Sequence, residues 1–220
     1  YYSKKTAGAK IAIDATQYLM NEALTEIPKP SYLRFADFGS ADGGTSQQLW
    51  FNLIKTLRDS GDKRPLEILY TDLASNDFST LFKLMQGMGE NCDFAYQKMF
   101  EDVYVHACGT GFHKQLMLSG TLSLGFSATA MHYVSQKPCQ ILDHVHMVGA
   151  TSFERKKFEN QAARDWERIL TARANELKPG GRFICINFGI DEDGRYLGST
   201  GEKSMFDSFT KHWRNHLENN

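Results

Sequence analysis

FADFGSADGGTS, Phe35 to Ser46, starts as a short apolar run, ends that run on the acid Asp37, and then sets Gly39, Asp42 and Gly43-Gly44 before residues that open a helix. This order predicts a strand, a tight turn and a helix N-terminus. Gly39 permits a left-handed backbone or close approach of a ligand, and Gly43 keeps side chains out of the turn. A dinucleotide site would carry G-x-G-x-x-G, with the pyrophosphate on the helix dipole. Here three residues separate Gly39 from Gly43, and an acid precedes both. That D-x-G-x-x-x-G form suits a nucleoside ligand without phosphates, such as S-adenosylmethionine (SAM), better than NAD. A glycine-rich strand-to-helix turn with no ligand at all uses the same residues.

Outward from this turn, EILYTD, Glu67 to Asp72, reads as a buried strand ending on a second acid. In doubly wound sheets an acid there accepts hydrogen bonds from ribose hydroxyls, and ligands lie across the carboxyl ends of the strands. Asp72 as a helix cap is the plainer alternative. Asn76 and Asp77 are better placed for that task, ahead of a helix from Phe78 to Met88.

The remaining elements follow from periodicity and punctuation. A helix from Ala9 to Leu24, closed by Pro28-Lys29-Pro30, precedes the first strand, Leu33 to Phe38. A helix from Thr45 to Arg58, short strands at Val103–Ala107 and Thr121–Ala128, and a long helix from Phe153 to Leu177 come next. Trp166, Ile169, Leu170, Ala174 and Leu177 are expected on the buried face of that long helix. Pro179-Gly180-Gly181 stops it, Arg182 to Phe188 is a strand, and a polar helix spans Lys203 to Leu217. Strands alternating with helices mean a parallel α/β sheet.

The chain of 220 residues is long enough for one domain with a full core. Its formal charge of -1 gives no electrostatic case for nucleic acid or anionic membrane, and no apolar run is long enough to span a bilayer. Cys92, Cys108, Cys139 and Cys185 are scattered, without metal or redox spacing, and read as reduced, mostly buried thiols of a cytoplasmic protein. His144-x-His146 lacks carboxylate or thiolate partners in sequence, so no metal is expected.

Together these pieces resemble the SABATH methyltransferases, the salicylate, benzoate, jasmonate and theobromine group. Asp37 to Gly44 is similar to the D-L-G-C-S-S-G-P of that family, and TDLASNDF, Thr71 to Phe78, to its N-D-L-x-x-N-D-F. Ser127 to Pro138 resembles S-S-Y-S-L-M-W-L-S-Q-x-P, and Leu170 to Arg182 resembles L-x-x-R-x-x-E-L-x-P-G-G-R. The opening YYSKKTAGAK stands where the family has S-Y-x-x-N-S-x-x-Q. The resemblance implies a class I, Rossmann-like sheet, mostly parallel, with helices on both faces. It further implies SAM as cofactor and a small-molecule carboxylate as methyl acceptor, with transfer to nitrogen of a heterocycle or a non-catalytic SAM-binding role as alternatives. Tyr1, Thr6, Asp37, Gly39, Asp42 and Gly43 would contact the cofactor, Asp72 its ribose, and Leu73, Gly111 and Phe112 its adenine. The implied partners are the substrate and a second copy of the chain. Residues 1–220 would be one SAM-binding domain whose C-terminal strands and helical cap are missing.

Departures from the family pattern bear on the acceptor. Ala9 and Tyr133 replace the glutamine and tryptophan that clamp a substrate carboxylate, and Thr129 replaces an aromatic. Ala9 offers no side-chain donor, whereas Tyr133 and its neighbour His132 do. His132 and Tyr133 are therefore the positioning candidates, and a flat benzoate is a poorer fit than a small acid of other shape or a nitrogen heterocycle. Gly39→Val is expected to occlude the cofactor while leaving the chain folded.

Overall fold

β1, Leu33–Phe38, lies in the middle of a five-stranded sheet in the order β3-β2-β1-β4-β5. The other strands are β2 (Leu66–Thr71), β3 (Val103–Cys108), β4 (Leu122–Ala128) and β5 (Leu177–Ile186), and every pairing is parallel. The computed structural model describes residues 3, 6–88, 93–193, 196 and 204–219. A parallel sheet is covered on both faces, so its central strands must be apolar on both. Leu33, Phe35, Ala36 and Phe38 of β1 are accordingly buried, as are Leu122, Leu124 and Phe126 of β4. Helix α3, Gln47–Asp59, crosses from β1 to β2 and lays Leu49, Trp50, Leu53, Ile54 and Leu57 on the sheet. Trp50 stacks on Phe35 at 5.7 Å and meets Phe126 edge-on at 6.0 Å.

The chain divides into two compact units. The first holds Tyr1–Met131 with Ile169–Ile186, and therefore the whole sheet. It also contains α1 (Ala7–Asp14), α2 (Gln17–Glu26), α4 (Phe78–Met85) and the four-residue α5 (Tyr96–Met99). The second holds His132–Arg168 with Asn187–Asn220. Its helices are the 3-10 turn Met147–Gly149, α7 (Met205–Glu218) and the leading part of α6 (Ser152–Glu176), whose last turns belong to the first unit.

Within the second unit, a clasp joins α7 to the loop before the 3-10 turn. His144 Nε2 meets Asp207 at 2.9 Å and its Nδ1 meets the His146 carbonyl at 2.7 Å, while the His146 ring stacks on Phe206 at 3.8 Å. Both histidines are thus used in packing, and no group of three metal-ligating side chains occurs among the described residues.

Several expected boundaries move, each for a local reason. The first helix is two helices, broken at Thr16, whose hydroxyl donates to the Ile13 carbonyl at 2.6 Å. The helix after β2 stops at Met85, and Gly87 follows in a left-handed conformation. β5 starts at Leu177 rather than Arg182, because a register shift against β4 absorbs the Pro-Gly-Gly turn within the strand. The buried face of α6 also differs. Gln161, Asp165, Ile169, Ala172, Arg173 and Glu176 are buried, whereas Trp166 and Leu170 are exposed. Cys108, Cys139 and Cys185 are half-buried rather than buried, and Cys92 lies outside the described residues.

Candidate functional site

Strand order reverses between β1 and β4, and such a switch point is where open α/β sheets leave a crevice at their carboxyl ends. The first unit brings Gly39, Asp72, Leu73, Gly111, Phe112 and Thr129 to these ends, following β1, β2, β3 and β4. The loop after β1 is fixed from β2. The Gly39 and Ser40 amides donate to the Thr71 carbonyl at 2.8 and 3.1 Å. Ala41, left-handed at φ 48°, gives its amide to Asp72 at 2.7 Å and accepts from the Asn76 side chain at 2.7 Å. Asn76 is therefore a clamp on this loop, a role the sequence did not suggest, and Asp77 alone caps α4 through the Thr80 amide.

Asp72 is well prepared for hydroxyl donors. One carboxylate oxygen accepts the Ala41 amide and the other the Leu73 amide, each at 2.7 Å. A carboxylate offers about four lone-pair sites, so two remain for further donors. Beside it Leu73 keeps 61 % of its surface exposed, and only its Cδ2 would meet a Cβ built at Gly111. An apolar platform next to an anchored acid is what a nucleoside needs, base on one and ribose on the other.

The other candidates of this loop serve the fold directly. Asp37 is buried, accepting from Ser46 Oγ at 2.5 Å and Trp50 Nε1 at 2.9 Å. Burial pushes its carboxyl up to about 6 against these two hydrogen bonds, and the Asp72 charge adds slightly. Asp42 spends its oxygens on Ser3 N and Oγ at 3.1 and 3.0 Å and on the Gly44 amide at 3.2 Å. Gly43 packs a missing side chain's space against Met85 and Leu81. Gly39 is left-handed at φ 78°, and a Cβ there would stand 2.3 Å from that of Ala130. Glycine is favoured here by the fold itself, so Gly39→Val is expected to destabilise the chain as well as to occlude the cofactor. Thr6 precedes α1 without a side-chain cap bond, and Tyr1 lies outside the described residues.

Asp37 gives a pH signature. Its folded carboxyl keeps the proton to about pH 6, whereas an unfolded one releases it near 3.8. The folded state therefore gains stability as pH falls through that window and loses it as pH rises, by about 3 kcal/mol in all. Asp37→Asn is expected to remove this contribution. In urea titrations the variant should gain on the wild type by about 2–3 kcal/mol between about pH 4 and about pH 7.5; a constant difference would mean that Asp37 is ionised throughout.

A buried ion pair secures the loop after β3. Arg173 and Glu176, on the last turn of α6, meet at 2.7 and 2.8 Å with side chains 1 % and 0 % exposed. Arg173 also donates to the Phe112 and Lys114 carbonyls at 2.9 and 2.8 Å and lies 4.1 Å over the Phe38 ring, while Glu176 accepts the Leu116 amide. Sequence reasoning placed both residues in a motif but gave them no role. The signal was present as R-x-x-E one turn apart, immediately before a strand.

The acceptor candidates divide between the units. Ala9, half-buried in α1, and Thr129 belong to the first. Thr129 is left-handed at φ 51°, a strained conformation for a β-branched residue, with its amide held by the Ile186 carbonyl at 2.8 Å. His132 and Tyr133 belong to the second, where they line a cavity of about 1510 Å³. The His132 ring sits 4.4 Å from Tyr133 and 5.2 Å from Phe188, and burial holds its pKa below the ordinary histidine value.

A family model for SAM dependent carboxyl methyltransferases matches residues 1–219. The chain belongs to that family. Among its relatives, this carboxyl methyltransferase family member is 26 % identical over 185 residues to methyltransferase LUC1 of a Fusarium species, covering 84 % of this chain and 47 % of that one. It is 24 % identical over 222 residues to loganic acid O-methyltransferase of Catharanthus roseus, covering 91 % and 57 %. A solved structure of loganic acid methyltransferase with SAH superposes with a TM-score of 0.76 at 21 % identity, covering all of this chain and 65 % of that one, which establishes the SAM-dependent methyltransferase fold. The family member described here spans about half the length of the curated relatives it matches.

Proposed function

We propose that this chain is the SAM-binding part of an enzyme that methylates a carboxylate oxygen of a small molecule. Family membership and the anchored carboxylate of Asp72 beside exposed Leu73 carry the reading. Asp72 would bind the ribose hydroxyls, Leu73 would lie on the adenine, and Phe112, carried on the loop held by Arg173, would close over it. Gly39 and the loop after β1 would border the methionine end. Bound SAM supplies an activated methyl on a sulfonium. Among described residues no helix is long and apolar enough to cross a membrane. The thiols of Cys108 and Cys139 support a reducing, cytoplasmic setting, and a homodimer is the proposed assembly.

The acceptor needs little from the protein beyond positioning. A carboxylic acid with a pKa near 4 is already an anion at neutral pH, so no general base is required. His132, held neutral by its partial burial, would offer one N–H to the carboxylate, and the Tyr133 hydroxyl a second donor. Orientation of one carboxylate oxygen and exclusion of water then supply most of the rate. Strain at Thr129 supports a functional role at the end of β4, because such strain is retained where a site uses it.

Calorimetry tests the cofactor assignment. Asp72→Ala should weaken SAM binding by about 10- to 100-fold, since hydrogen bonds to a charged group contribute about 1.5–3 kcal/mol. Equal affinity in variant and wild type, or tighter binding of NAD than of SAM, would overturn it.

A further inference from the structure

We propose that the cavity of the second unit takes a carboxylic acid with a long apolar body, about ten carbons or more, rather than a benzoate-sized ring. The inference rests on the carboxyl methyltransferase reading and adds the class of acid. Pockets for drug-sized ligands measure about 300–1,000 Å³, and this one measures about 1510 Å³. A benzoate would touch only a small part of its walls.

The walls match such a body. Phe206, Trp213 and Leu217 line it from one face of α7, and Phe158 and Ala162 from one face of α6. Leu142, Ile190, Trp213 and Leu217 keep 81 %, 56 %, 57 % and 61 % of their surfaces exposed. These exposed apolar side chains share one groove, and apolar side chains gathered in a groove are what a ligand with an apolar body needs. The charged lining residues, Lys137 and Arg214 against Asp143 and Glu159, cancel. A balanced lining does not attract a polyanion such as a phosphate ester, and suits a ligand with one carboxylate and a large apolar remainder. His144 and His146 are committed to Asp207 and Phe206, whereas His132, in the same lining, is the donor proposed above for the carboxylate.

Trp213 lies in the wall, so its emission reports occupancy. The chain would be titrated with straight-chain carboxylates from hexanoate to hexadecanoate, each below its micelle concentration, and with benzoate. Saturable binding of one acid per chain is expected, with Kd falling by about fourfold per added methylene, the equivalent of 0.8 kcal/mol, until the cavity is full. The emission change should vanish in Trp213→Phe, and Ala162→Trp should move the optimum to shorter acids. Benzoate binding as tightly as dodecanoate, or affinity independent of length, would overturn the proposal. So would a chain that sediments as a dimer and responds to no acid, since a second copy then covers the cavity. SAM binding and its loss in Asp72→Ala are measured separately, so failure of the carboxyl methyltransferase reading is distinguishable from failure of this one.

Discussion

Arg173→Ala is expected to destabilise the first unit by about 3–5 kcal/mol, because the substitution strands Glu176 as an unpaired charge in the interior. It also removes the donors of the Phe112 and Lys114 carbonyls. Urea denaturation followed by circular dichroism measures the loss. A double substitution, Arg173→Met with Glu176→Leu, separates the two consequences. Apolar side chains of similar volume often replace a buried ion pair at little cost, so most of the stability should return. The loop after β3 would still lack its anchors, so SAM affinity should fall below that of the wild type in both variants. A loss under about 1 kcal/mol in the single variant would mean that water reaches the pair.

Gly39→Val should cost about 3–5 kcal/mol, from the left-handed backbone and from overpacking against Ala130. Neither Cβ can move without moving a strand end. Gly39→Ala in an Ala130→Gly background removes the collision and keeps the backbone penalty, so it should recover about half of the loss. Thermal melts of the three variants decide this. Equal stability of Gly39→Val and wild type would show that the turn relaxes into another conformation.

Legibility in the sequence followed the physics of each element. β1 was readable to its last residue because it is an apolar run bounded by Pro30 on one side and Gly39 on the other. β2 and β4 were readable for the same reason, within a residue at each end. The buried face of α6 was not. Gln161, Asp165, Arg173 and Glu176 are buried as hydrogen-bonded pairs, at 2.9 and 3.0 Å for the first and 2.7 and 2.8 Å for the second. Hydrophobic periodicity cannot register a polar group whose partners are satisfied. Asp72 was singled out because an acid at a strand end is visible in sequence. Its hold on the Ala41 amide, 31 positions away, and the Asn76 bond to the same residue are products of the fold. The cavity around His132 gathers separate segments between His132 and Leu217, and nothing in any one of them announces it.

The central position of β1 fixes an order of events as the chain is made. Its first neighbour, β2, is complete at Thr71, and its second, β4, only at Ala128. At about 5–20 residues per second, ribosomal synthesis leaves the far edge of β1 without its partner for several seconds. During that interval an apolar strand presents open amides and carbonyls to any other nascent chain. Synthesis of β1, β2 and β3 thus precedes that of β4, and an edge left open in this interval is the kind that pairs with a foreign strand.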